Sequence, residues 1–480
     1  MLLVVAGLML LQAAWILTIP PFRGIDEFDH VYRAAAVARG DWRVGINAED
    51  GRGQLVAVPE SIVRGAHDQC EQLSSMGPDN CSGTGHAPDG RLLVASAAGA
   101  YHPAFYWVVG TVALPFDGAG ALYAMRIAAA LLCFLFMALG AWAIAKIPGR
   151  WSLAAYVLAA TPVFIYSTTV VAPNGLEMSA GLATWAALLA LTSGQDEATE
   201  SRLLWLAICS SVVLGILRQL GPIFIILILV TVAVSDWTRL WSIVKRRGRT
   251  VLLGATLVGA SVAWQAAWLL GGSGSGLGGD GDPERSTHLK PINLLVWQAQ
   301  AIGAFPYRDQ FASPVVYPVV GTLVIILVLA GVRFSRGRDR AALLLALCVA
   351  LIFPPLFTLA TISSVGDIWQ GRYLLAYGVG FVLLAGRSVG RYAESSGVPP
   401  LVAVPCCVAY GVAIAACLIK VRSDELSLNA ASAGDSSWHA PSPAILFVLI
   451  ALAMAAFVVA LTGKEESKAS RSPLGEKSVP

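Results

Sequence analysis

Groups able to do chemistry concentrate in one stretch near the N-terminus: Pro20-Pro21-Phe22-Arg23-Gly24-Ile25-Asp26-Glu27-Phe28-Asp29-His30-Val31-Tyr32-Arg33. The proline pair stops the apolar segment before it, and a new helix is expected to begin near Asp26. In that helix Asp26 and His30 stand four apart and Glu27 and His30 three apart, so the groups converge on one face. Two adjacent carboxylates beside an imidazole can deprotonate an alcohol or hold a divalent cation. The same residues also suit a structural role, with Asp26 as the N-cap and Glu27 and Asp29 favoured by the helix dipole. Spacing alone leaves both open.

A second group is charged and lies in or beside apolar runs: Arg126, Glu177, Arg218 and Arg372. An ionisable side chain inside a span is costly and usually lines a cavity or meets a partner. All four are expected near the same ends of their helices. Arginine grips phosphate in bidentate fashion, so together they could surround a phosphate-bearing lipid headgroup. Snorkelling to the interface is the alternative for each one singly. Trp297, Tyr307 and Trp369 could stack on a sugar, or could anchor helix ends at the interface.

The elements that must hold these residues follow from composition. The chain has 480 residues, 56% hydrophobic and only 13% charged. A soluble protein carries roughly 25% charged residues, so a soluble enzyme, a nucleic-acid binder and a disordered chain are excluded. Apolar runs such as Val251 to Leu270 match the ~20 residues that a membrane-spanning helix needs. Twelve spans are expected, near 2–20, 120–147, 151–172, 174–193, 201–217, 219–236, 250–271, 313–332, 341–362, 371–386, 398–419 and 442–462. The first reads as a retained helix, because it lacks a basic leader and a small-residue cleavage site. With the N-terminus in the cytoplasm, the short inner connections hold Lys146, Arg150, Arg202, Arg239, Lys245, Arg246, Arg247, Arg333, Arg336, Arg387 and Arg391. That is the positive-inside pattern, with Lys245 to Arg247 also placed beside anionic lipid. His102 to Phe116 is apolar but short. Counting it as a crossing would reverse every later loop, so it is expected to lie at the outer face as a re-entrant or interfacial helix.

Residues 1–463 are therefore expected to form one all-α transmembrane domain of about 12 helices, with 464–480 as a disordered cytoplasmic tail. The first extracytoplasmic segment covers 21–119, and a Gly/Ser-rich loop covers 272–312. All six histidines fall on the outer side. Of eight cysteines only Cys70 and Cys81 lie in a polar loop, and outside the cell a disulfide between them would persist.

PPFxxxDExxHxYRA after a first span resembles a bacterial family of membrane proteins of unknown function, numbered 2142, which itself looks like a branch of the GT-C glycosyltransferases. Further elements are similar: Tyr101-His102-Pro103-Ala104-Phe105-Tyr106-Trp107, then Leu122-Tyr123-Ala124-Met125-Arg126; Thr161-Pro162 through Ala172-Pro173-Asn174-Gly175, like a second external loop; and Gln370-Gly371-Arg372-Tyr373. The resemblance implies a GT-C fold and an enzyme that takes a sugar from a polyprenyl-phosphate carrier, with inversion, to a cell-envelope glycan or glycolipid. It implies Asp26, Glu27 and His30 as catalytic residues, with Asp26 as base or, together with Glu27, as ligand of a divalent cation such as Mg or Mn. The substrate would meet Arg33, Tyr101, His102, Arg126, Asn174, Glu177, Arg218, Gln370, Arg372 and Tyr373. Asn174 departs from the pattern, standing where an acidic residue is usual; Glu177 lies one turn on and could replace it. The setting would be a bacterial inner membrane, with both termini cytoplasmic and the site extracytoplasmic. A flippase for a lipid-linked saccharide would use the same arginines without the carboxylates. An assembly partner for envelope polymers is a third class.

Overall fold

The apolar runs fold as long helices in a computed structural model that describes residues 1–43, 45–73, 76–271, 288–305, 310–396, 402–431 and 438–463. Tyr307, the Gly-rich part of the second outer loop at 272–287 and the tail 464–480 lie outside the described residues. Helix α1 (Leu2–Thr18) ends at the proline pair. A folded segment follows, made of α2 (Glu27–Val37), β1 (Gln54–Val58), α3 (Glu60–Glu71), α4 (Pro78–Cys81), β2 (Gly85–His86), β3 (Leu92–Ser96) and α5 (Pro103–Ala113). The chain then runs through α6 (Gly118–Ile144), α7 (Arg150–Ala159), α8 (Pro162–Ser167), α9 (Pro173–Leu191), α10 (Glu197–Leu217), α11 (Gly221–Arg246) and α12 (Gly248–Gly271). After α13 (Ile292–Ile302) and a β4 (Ala304–Phe305) to β5 (Gln310–Phe311) pair come α14 (Val316–Phe334) and α15 (Gly337–Val365). A 3-10 turn (Gly371–Leu374), α16 (Leu375–Ser396), α17 (Ala403–Ala431) and α18 (Pro443–Thr462) complete the chain.

Among the described residues nine helices are long and apolar enough to cross a membrane. With helices α1 and α9 and the consecutive pair α7–α8 as further crossings, the count reaches the twelve expected. Helix α5 does not cross: eleven residues rise only ~16 Å, about half of the hydrocarbon core. It packs beside α2 with Trp107, Val112 and Phe116 exposed.

The bundle is built around α9, every residue of which is buried, and α16. Small residues let the two approach: a side chain at Gly181 would collide with the Ala376 carbonyl, and one at Gly380 with the Trp185 ring. The Trp185 indole N–H donates to the Tyr377 carbonyl at 3.0 Å. The break between α7 and α8 falls at Thr161-Pro162, where the Phe164 N–H turns to the Thr161 hydroxyl and leaves the Ala160 carbonyl without its helical donor. In an apolar interior such a group needs a partner, and the Tyr410 hydroxyl donates to Ala160 O.

Three features differ from the sequence reading. Residues 161–175, expected as an external loop, are buried throughout. Their polar side chains make this possible, since the Ser167, Thr168 and Thr169 hydroxyls all donate to carbonyls within the same turn. The segment expected as a basic loop after residue 236 is helical to Arg246, with a bend at Asp236. The fold is also not purely helical. Strands β1 and β3 pair antiparallel with β2 on the far side, and Asn80 fastens the sheet by donating to the carbonyls of Arg52 and Ala95, both at 3.0 Å. Cys70 and Cys81 are joined by a disulfide beneath it.

The bundle thus has two unlike ends. One carries α2, the sheet and α13. The other carries Arg150, Arg391 paired with Asp339, and Arg246 and Arg247 paired with Glu200.

Candidate active site

At the end that carries α2, the turn after α1 is forced into an unusual path. Phe22 and Asp26 both adopt left-handed backbone conformations, φ 62° and 52°. Such strain costs ~1–3 kcal/mol and persists only where surrounding contacts over-determine it. Glu27 supplies those contacts. Its carboxylate is fully buried, meets Arg126 Nε at 2.7 Å and Nη2 at 2.5 Å, and accepts the backbone N–H groups of Gly24 and Val171. Arg126 in turn donates to the carbonyls of Ile19 and Pro20 at 2.8 and 2.7 Å. One buried ion pair therefore ties the end of α1, the start of α2, α6 and the α8–α9 link to a single point. Both oxygens of Glu27 and four of the five N–H groups of Arg126 are taken up within the fold, and both side chains are fully buried. This departs from the expectation that Glu27 serves catalysis or a cation and Arg126 a phosphate.

Asp26 stands apart from this knot. It occupies the N-cap position of α2, but its side chain makes no capping hydrogen bond. The carboxylate, 38% exposed, instead meets Arg372 Nη2 at 3.3 Å. Arg372 is held by the 3-10 turn, and the glycine before it is obligatory: a side chain at Gly371 would strike the Trp297 carbonyl in α13, and its N–H donates to Gln300. Arg372 is 6% exposed, and its Nε–H has no partner among the described residues.

Arg218, where α10 ends, completes the arrangement. Its guanidinium lies 4.6 Å from the centre of the Tyr373 ring, and that of Arg372 lies 5.5 Å from the same centre. Glu177 meets Arg218 Nη1 at 3.2 Å, while its other oxygen is buried with no described partner. Two cations thus share one aromatic ring, each with one carboxylate behind it. Arg218 and Tyr373 open onto a cavity whose walls also include Tyr101, His102, Gln265 and Trp369.

Other expected residues serve this frame. His30 Nδ1 lies 2.8 Å from the Tyr106 hydroxyl, and burial pushes the imidazole down to about 4, so it is neutral. Arg33 donates to the carbonyls of Asp41, Trp42 and Tyr101, which makes it a staple of the outer segment. Asn174 is buried in the first turn of α9, and the Gln370 side-chain oxygen has no partner among the described residues. His102 caps α5 through Nδ1, and burial lowers it to about 4. Trp297 is buried against Trp369.

The sequence reading missed Gln265, a polar residue within an apolar span, and so a signal it could have used. It also gave Asp29 no role beyond the helix dipole. Asp29 is buried, accepts the Ala97 N–H at 2.7 Å, and is pushed up to about 7 by burial. The donor set does not suit a metal ion. Asp26 and Glu27 turn to different arginines, and among the described residues no group of three His, Cys, Asp or Glu side chains is placed to hold one.

A family model described as a predicted membrane protein, DUF2142, matches residues 9–379. No curated protein matches the chain. Two solved structures are similar in outline. The crystal structure of ArnT from Cupriavidus metallidurans in the apo state has 14% identity and a TM-score of 0.46 over 94% of this chain and 74% of that one. The crystal structure of the same protein bound to undecaprenyl phosphate has 16% identity and a TM-score of 0.43 over 95% and 76%. At these scores the likeness carries no weight in assigning roles.

Proposed function

The chain belongs to the DUF2142 family of predicted membrane proteins, and from that premise we propose that it is a GT-C-type glycosyltransferase. In this reading it moves a sugar from a polyprenyl-phosphate donor to a cell-envelope glycan or glycolipid, on the extracytoplasmic face of a bacterial inner membrane, in polysaccharide biosynthesis. Residues 1–463 act as one domain. The observation that carries the proposal is the pair of guanidiniums, Arg218 and Arg372, at one aromatic ring beside a cavity and next to an uncapped carboxylate.

Two like charges at one ring favour an anion between them. The donor phosphate replaces Asp26 as the partner of Arg372, using the unpaired Nε–H. Asp26 is then free to take the proton of the acceptor hydroxyl as that oxygen attacks the anomeric carbon from the far side. The sugar–phosphate bond breaks, configuration inverts, and polyprenyl phosphate leaves with one more negative charge. Arg218 and Arg372 stabilise that charge as it develops, which is the main electrostatic task of the reaction. Glu27 and Arg126 act by fixing the strained turn that presents Asp26. No step is routed through a divalent cation.

The test uses the purified chain in lipid nanodiscs with polyprenyl-phosphate sugars. Asp26→Asn is expected to bind donor normally but to transfer sugar at least ~100-fold more slowly, the usual cost of losing a positioned base. Arg372→Ala is expected to weaken donor binding instead. Near-normal transfer by Asp26→Asn would overturn the assignment. Movement of labelled lipid across the bilayer, with no transfer from any donor, would replace it with a flippase.

A further inference from the structure

The lining of the cavity carries polar groups that the proposed chemistry does not use. His102, Gln265 and Trp369 all line it, and each is only 3–4% exposed. His102 Nε2, Gln265 Oε1 and Trp369 Nε1 have no hydrogen-bond partner among the described residues. Leaving a buried polar atom unpaired costs stability, and three around one cavity call for an explanation.

Their chemistry can be worked out atom by atom. His102 Nδ1 accepts the Ala104 N–H at 3.3 Å, so that nitrogen carries no proton. The imidazole is neutral near pH 7, with burial pushing it down to about 4, so its single proton sits on Nε2. The residues lining the cavity therefore hold two unpaired donors, His102 Nε2–H and Trp369 Nε1–H, and one unpaired acceptor, Gln265 Oε1. Neighbouring aromatics fix the histidine: its ring stands edge-on to Trp264 at 4.9 Å and to Trp268 at 5.4 Å, and the Trp268 indole is anchored on the Ala100 carbonyl at 3.0 Å. Trp264, Gln265 and Trp268 project from neighbouring positions of α12, so one helix face sets both the apolar and the polar parts. Of the lining residues Arg218 alone carries a formal charge at neutral pH.

We propose that His102, Gln265 and Trp369 form a subsite for an uncharged, hydroxyl-bearing sugar ring, held beside the arginine pair that takes the phosphate. Sugar hydroxyls both donate and accept, so they can satisfy two donors and one acceptor at once. An amino sugar would instead bring a cation beside Arg218, the one charged residue of the lining. The inference rests on the transferase reading for its expectation that the ligand is a lipid-linked sugar.

The experiment measures binding to the full chain in nanodiscs with three phosphodiester probes: polyprenyl glucosyl phosphate, its amino-sugar counterpart, and sugar-free polyprenyl methyl phosphate. The wild type is expected to bind the glucosyl lipid about tenfold more tightly than the methyl lipid. Trp369→Phe keeps the ring and removes only the N–H, and Gln265→Leu keeps the bulk and removes the acceptor. Each is expected to lose about threefold to tenfold of that preference while binding the methyl lipid as before. A wild type without the preference, or both variants keeping it, would overturn the subsite. Equal binding of the amino-sugar lipid would overturn its selectivity for neutral rings. The two readings fail separately: transfer without sugar preference removes the subsite alone, and preference without transfer removes the enzyme alone.

Discussion

Asp26 and Glu27 are neighbours in sequence with the same chemistry, and the fold gives them opposite roles. Successive residues at a helix start point about 100° apart, so one carboxylate turns inward to Arg126 and the other outward to Arg372. The sequence could show that carboxylates gather here beside an imidazole. It could not show which one is consumed by structure, because that depends on Arg126, 99 positions further along the chain. The same limit hid the role of Arg126, which reads as a phosphate ligand until its bonds to Ile19 and Pro20 are seen. A direct test follows. Glu27→Gln leaves the Arg126 guanidinium buried beside a neutral partner, a change that typically costs ~3–5 kcal/mol. Its melting temperature in detergent should fall well below that of the wild type, whereas that of Asp26→Asn should stay close. Equal melting temperatures for all three would mean that Glu27 does not hold the turn.

At the scale of elements, α2 is the part whose behaviour depends most on pH. Asp29 and His30 are buried side by side, with Asp29 pushed up to about 7 and His30 down to about 4 by the same loss of water. The signs are opposite. A raised carboxyl contributes stability that is fully present below about pH 4 and is lost as pH climbs through 7. A depressed imidazole contributes stability present above about 6.5 and lost as pH falls toward 4. Asp29→Asn removes the first effect alone. The variant should melt several degrees above the wild type at pH 8, with the gain shrinking as pH falls to 5. Thermal unfolding across that range decides it, and a gain that is absent at pH 8 would mean that the Asp29 carboxylate is solvated. The existence of α2 was legible from the proline pair and the carboxylates after it. The small sheet was not, because β1 and β3 are five residues each and pair only once α3 and α4 have turned the chain back between them. The burial of 161–175 was hidden for a related reason, since its hydroxyls look solvent-seeking in sequence and bond locally in the fold.

For the whole molecule, the number of crossings decides where everything lies. Long apolar runs separated by charge are the clearest signal a sequence can carry, which is why the spans were legible, though with ends off by up to about a dozen residues, while the partners of single charges were not. Twelve crossings put both termini on one side; a thirteenth at α5 would separate them. The packing agrees with the even count. Helices α1 and α18 lie against each other, close enough that a side chain at Gly7 would meet the Phe457 ring, and Arg150 at the basic end donates to the Leu461 carbonyl. The charged cavity and the arginine-rich connections stand at opposite ends of this bundle, so the positive-inside rule predicts that the cavity faces the outside of the cell. Single cysteines introduced into a cysteine-free background test this with a membrane-impermeant thiol reagent. Positions in 47–68 should label in intact cells, and positions in 240–248 and 333–340 only after permeabilisation. Labelling of 240–248 and 333–340 from outside would invert the protein. It would leave the arginine pair and Asp26 facing the cytoplasm, where an extracytoplasmic donor cannot reach them, and the proposed reaction would fall with the topology.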